Sequence, residues 1–164
     1  MLRVLINYGN EIILVEEVNV TVSEMIINEL YQDKIDFTKP QHQKLYSTII
    51  NEINDSGVID IQKLITSSDS DINTQTVDLI TQAHYISNNW KEKHNIITGR
   101  ENENLKKTTE KAILSLKKEI VSLKIKTLQE QVKSNKISES EVKALNALIK
   151  LKTQIAKLLG RNIG

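Results

Sequence analysis

The chain contains no cysteine. That excludes a disulfide scaffold, a thiolate metal site and a cysteine nucleophile. Proline occurs once and glycine five times, and only 4% of the 164 residues are aromatic. With so few breakers, and with Leu, Ile, Lys, Glu, Asn and Gln in abundance, the composition favours an all-α protein. Long apolar runs are missing as well: none approaches the roughly 18 residues needed to span a bilayer. The stretch Ile12 to Val15 is too short and wrongly flanked for a signal peptide. A cytoplasmic location is therefore expected.

Catalytic signatures are also wanting. No HExxH, Walker, GxGxxG or GxSxG pattern occurs. His42, His84 and His94 fall on separate predicted elements and are expected to be structural or surface residues. Asp69 and Asp71 resemble the start of a calcium loop, but the glycine and the closing glutamate of that loop are absent. No catalytic residue, metal or cofactor is expected, and the chain does not read as an enzyme.

What is present is an ordinary globular balance, 39% hydrophobic and 26% charged, enough for one domain or two small subdomains. The net charge of +1 conceals an asymmetry. Residues 1–100 hold 8 basic and 14 acidic residues, a charge of −6, whereas residues 101–164 hold 14 basic and 7 acidic, a charge of +7. An acidic body followed by a basic arm is the result. Residues 1–99 are expected to form a helical-bundle subdomain, and residues 100–164 a long helix continuing into a C-terminal helical hairpin. The chain opens directly on a helical pattern, Met1-Leu2-Arg3-Val4-Leu5-Ile6, as expected of a piece of a longer protein with Met1 as an added start.

Leu2 to Tyr8 reads as a short buried helix stopped by Gly9-Asn10. Glu11 to Val20 is β-branched but lacks a visible partner strand, so a helical turn or an extended connection is predicted there. Thr21-Val22-Ser23-Glu24 fits a capping box opening a helix with Met25, Ile26, Leu30 and Tyr31 on its apolar side. Phe37-Thr38-Lys39-Pro40 starts another, with Pro40 in the first turn, where a missing N–H costs little. Its apolar face holds Leu45, Tyr46, Ile49, Ile50 and Ile53, and Asp55-Ser56-Gly57 stops it. Asp60 caps a short helix containing Ile61, Leu64 and Ile65, and a further helix is predicted from Ile72 to Tyr85. Trp90 is expected to anchor body to arm, with a partner-facing role as the alternative. Ile97 to Arg100 reads as a hinge.

From Glu101 to Lys133 no glycine or proline interrupts the chain. Ile113, Leu116, Ile120 and Leu123 mark one helical face, and Val121, Ile125, Leu128 and Val132 a second face rotated from it. Ser138-Glu139-Ser140-Glu141 is a second capping box after a turn, opening a helix with Val142, Leu145, Leu148, Ile149, Ile155, Leu158 and Leu159, ended by Gly160. This apolar band is wider than one neighbour requires, so an exposed strip is predicted, a usual mark of a binding site. Nucleic acid is the weaker partner. Lys106, Lys107, Lys111, Lys117, Lys118, Lys124, Lys126 and Lys133 are interspersed with Glu103, Glu110 and Glu119, and no aromatic residue is there to stack on bases.

In its order of elements the chain resembles, over nearly all its length, the C-terminal helicase-binding domain of bacterial DNA primases of the Bacteroidetes type. The segments that carry the resemblance are Leu2 to Asn10, Phe37 to Gly57 with His42-Gln43-Lys44-Leu45-Tyr46, Ile86 to Ile96, and Ser138 to Lys157. The resemblance implies a bundle followed by a hairpin that docks on the N-terminal domain of the hexameric replicative helicase. The parent protein would polymerise RNA primers, but its zinc-binding and polymerising domains are not in this sequence. Lys126, Leu128, Val132, Lys133, Lys136, Val142, Lys143, Leu145 and Ile149 are the helicase-binding candidates, with Leu128 and Leu145 the better fits to the internal seam. Arg3, Lys157 and Arg161 are candidates for binding the acidic tail of single-stranded-DNA-binding protein, a second partner known in relatives. The alternatives are the scaffold-like N-terminal domain of the helicase itself, and a helical DNA-binding module.

Overall fold

A computed structural model describes residues 1–81, 104–134 and 138–160, and the chain divides into two compact units, Met1–Thr109 and Glu110–Gly164. Several expectations lie outside the described residues: His84, Trp90, His94, the segment Ile86 to Ile96, the Ile97–Arg100 hinge, Lys136 and Arg161.

In the first unit, α1 (Leu2–Tyr8) buries Leu2, Val4, Leu5 and Ile6. So dense a set of apolar residues on seven positions requires neighbours on more than one side, and α1 packs against both α2 (Val22–Gln32) and α5 (Ser70–Thr81). Packing of α5 on α3 (Pro40–Ser56) and α4 (Ile61–Ile65) completes the layer. Leu5, Val22, Ile26, Leu30, Leu45 and Ile49 form the fully buried centre. Each such side chain contributes ~1.5–3 kcal/mol by leaving water.

Local signals place the ends of these helices. The Thr21 hydroxyl accepts from the Glu24 N–H at 3.1 Å while the Glu24 carboxylate accepts from the Thr21 N–H at 2.7 Å. Pro40 occupies the first turn of α3, and Gly57 closes that helix at φ 78°, donating its N–H to Ile53 O at 2.8 Å. Asp60 accepts the N–H groups of Gln62 and Lys63. One apolar assignment differs from expectation: Tyr31 is 83% exposed, because it follows buried Leu30 by one 100° step.

The fold is mostly helical, but not wholly so. Residues 12–21 form an antiparallel ribbon of β1 (Ile12–Val15) and β2 (Val18–Thr21), with Ile13 opposite Val20 and Val15 opposite Val18. The partner strand missing from the sequence reading is the very next segment. The reversal needs only Glu16 and Glu17, at φ 49° and 70°. Two successive left-handed residues form the tight turn that suits strand twist, but Asn-Gly or Gly-Gly normally announces it.

At the base of this ribbon Asn10 pairs twice with Ile59: its Nδ2 donates to Ile59 O at 2.9 Å and its Oδ1 accepts the Ile59 N–H at 2.8 Å. Gly9 sits beneath, where a methyl group would collide with the Leu5 carbonyl oxygen and Ile59 Cδ1.

The second unit is a helical hairpin. The boundary between units falls within α6 (Leu105–Lys133), and α7 (Glu139–Leu158) follows. Val121 and Ile125 of α6 bury against Ile155 of α7, with Leu114, Leu145, Leu148 and Leu159 packed around them. On the other predicted face of α6, Ile113 is buried, Leu116 and Ile120 are half-buried, and Leu123 is 42% exposed.

Candidate partner-binding face of the helical hairpin

The α7 helix is anchored at its start by the second capping box. Ser138 N–H donates to Glu141 Oε2 at 2.7 Å, and Glu141 N–H donates to Ser138 Oγ at 3.3 Å. The Ser138 N–H, and with it the Ser138 hydroxyl at 2.7 Å, donate to Glu141 Oε2 and hold that carboxyl below the ordinary glutamate range. The start of α7 is thereby fixed, and which of its residues face α6 follows from packing on Val121 and Ile125.

The seam residues of α7, Leu145, Leu148, Ile155 and Leu159, alternate at spacings of three, seven and four, as one side of a helix facing a single neighbour does. Apolar residues continue beyond that stripe on both flanks. Val142 and Ile149, seven residues apart, lie on one side and are 40% and 42% exposed. Leu151 and Leu158, also seven apart, lie on the other and are 42% and 71% exposed. At 100° per residue the band from Leu158 round to Val142 covers about 200° of the helix, against roughly 100° for a helix with one apolar neighbour.

The polar side of α7 is basic. Lys143, Lys150 and Lys157 repeat every seven residues and are all exposed. Lys143 Nζ meets Glu139 Oε1 at 3.0 Å, a surface pair worth a few tenths of a kcal/mol at most. On α6, Lys126 and Lys133 are exposed, Leu128 is half-buried and Val132 is 39% exposed. The second unit as a whole has twelve basic and five acidic residues, a charge of +7.

Of the candidate helicase-binding residues, then, Val132, Val142 and Ile149 retain open apolar surface, and Lys126, Lys133 and Lys143 open charge. Leu145 packs against the seam, and Leu128 is half-buried on α6. Leu151 was not singled out from sequence, although its spacing of seven from Leu158 was the available signal. Arg3 lies half-buried on α1 and Lys157 is exposed in the last turn of α7. Among the described residues no group of three or more His, Cys, Asp or Glu could hold a metal ion, and no helix is long and apolar enough to cross a membrane.

A mostly helical protein with a basic, apolar-flanked hairpin is the class these features define. The chain matches over residues 1–163 a family described as "Domain of unknown function (DUF8430)", and it belongs to that family. No curated protein and no solved structure matches it.

Proposed function

We propose that this chain is the non-catalytic C-terminal domain of a bacterial DNA primase, and that its α6–α7 hairpin binds the N-terminal domain of the hexameric replicative helicase to bring primase to the replication fork. The observation that carries the reading is the surplus apolar surface of α7, exposed on both sides of a seam already filled by α6. Exposed aliphatic residues repeating every seven positions suit partner helices laid alongside. The +7 charge of the same unit favours an acidic partner surface, raising the association rate more than the final affinity. A contact burying roughly 1,000–1,600 Å² suffices for a transient replisome encounter. On this reading the chain acts in the cytoplasm, and chemistry belongs to other domains of the primase.

The test is binding of the cognate helicase N-terminal domain to single variants on each flank. Ile149→Asp and Leu158→Asp replace exposed side chains, so the hairpin remains folded, as helical circular dichroism would show. A charge placed in an apolar contact weakens binding roughly tenfold or more. Unchanged affinity in both variants rejects the α7 flanks as the contact. Binding of bare duplex DNA that falls steeply with salt, with no helicase binding, would favour the DNA-binding alternative.

A further inference from the structure

The β1–β2 ribbon offers a second surface, independent of the hairpin. Its register continues past the strands: the Val22 N–H donates to Glu11 O at 2.9 Å. In an antiparallel ladder main-chain bonding alternates along each strand. Glu11, Ile13 and Val15 therefore turn their main-chain groups towards β2, and Ile12 and Leu14 turn theirs away. The side chains of those same two residues are 68% and 59% exposed, whereas Ile13 between them is buried. Main chain and side chain are thus both open at the same positions.

The outer edge of β2 is different. The Thr21 N–H is already taken by the Glu24 carboxylate in the capping box. The sheet has two strands, and among the described residues none lies beyond β1. The β1 edge is short, four residues, but carries no inward charge, lysine, proline or bulge to guard it against pairing.

Charge identifies the class of occupant. Glu11, Glu16 and Glu17 stand exposed at the two ends of β1, and the ribbon, residues 11–21, contains no lysine or arginine. We infer that β1 accepts an extended, lysine- or arginine-rich segment of another protein as a third strand, with main-chain bonds to Ile12 and Leu14 and aliphatic side chains against theirs. A second copy of this chain fits poorly. Pairing β1 with itself would bring Glu11 of one chain towards Glu16 and Glu17 of the other, and like charges facing each other across strands destabilise a sheet.

The experiment uses the full chain and a blocked heptapeptide of alternating lysine and valine. Added at up to about 1 mM, the weak range for a short strand, the peptide should shift the amide NMR signals of Glu11 to Val15. It should slow exchange of the Ile12 and Leu14 amides about twofold at half-saturation as they gain partners. Three comparisons carry the inference. Methylating alternate backbone nitrogens of the peptide removes the donors a third strand needs, and should weaken binding at least about tenfold. Replacing its lysines by glutamates should abolish binding. Leu14→Pro, which removes an N–H directed away from β2, should abolish it too. Should that variant unfold the ribbon, the methylated peptide tests the same point on the unaltered protein. The inference is overturned by silent ribbon amides at the highest peptide concentration, by equal binding of the methylated or glutamate peptide, or by self-association of the chain that Leu14→Pro removes.

Discussion

Glu52 sits 4% exposed on α3, and neither carboxylate oxygen has a hydrogen-bond partner among the described residues. Its counter-charge is Lys63 Nζ at 3.6 Å, on a side chain that is 67% exposed. The two members of the pair are therefore unequal. Removing the carboxylate leaves a lysine that water already solvates, whereas removing the lysine strands a buried charge. Glu52→Met should be neutral or stabilise the first unit by about 1 kcal/mol, and Lys63→Met should destabilise it by ~1–3 kcal/mol. Urea unfolding of both variants measures the difference, and equal effects would contradict it. Neither this arrangement nor the pair of hydrogen bonds between Asn10 and Ile59 was legible in the sequence. Both join residues distant along the chain, and a glutamate among polar neighbours on a helix reads as solvated until the fold is seen.

Helix ends, by contrast, were legible because their chemistry is local. Both capping boxes, the Asp60 cap, Pro40 in a first turn, and Gly57 and Gly160 at left-handed φ follow from residues within four positions of one another. The Ser138–Glu141 box carries a pH dependence. Hydrogen bonds from Ser138 lower the Glu141 pKa below its ordinary 4.5. A lowered carboxylate contributes stability above the ordinary value and loses it as pH falls through the lowered one. The first turn of α7 should thus stay intact at neutral pH and loosen only in acid, below pH 4.5. Amide exchange at Glu139 to Val142 would follow this, and Ser138→Ala, which removes the hydroxyl bond but keeps the larger one from the backbone N–H, should move the Glu141 titration part of the way back to its ordinary position. An unmoved titration would contradict the cap. The β-ribbon escaped the sequence reading for the opposite reason: its turn residues are the wrong type for their conformation. Left-handed glutamates cost roughly 1 kcal/mol or more apiece. Replacing Glu16-Glu17 with Asn-Gly should therefore stabilise the chain by ~1 kcal/mol in thermal unfolding. Loss of stability would mean that the two carboxylates make contacts worth more than their strain.

At the scale of the whole molecule, the sequence already separated an acidic part from a basic one and predicted a wide apolar band on the last helix. The hairpin seam follows from heptad spacing, and so does the surplus on its flanks. What spacing left open was which of the apolar residues fill the seam. Packing answers that by burying Ile155 and leaving Leu158, three positions on, 71% exposed. The second unit is thus divided: Ile155, Leu148 and Leu145 fill the seam of the hairpin, and Val142, Ile149, Leu151 and Leu158 stay exposed, the surface that the proposal gives to a partner. The most direct measurement is calorimetric titration of the intact chain, and of a version ending at Thr109, into the N-terminal domain of the cognate replicative helicase at two salt concentrations. Saturable binding by the intact chain, weakened by salt, and none by the shortened one is the expected result. Equal binding by both, or no heat from the intact chain at several hundred micromolar, would contradict it.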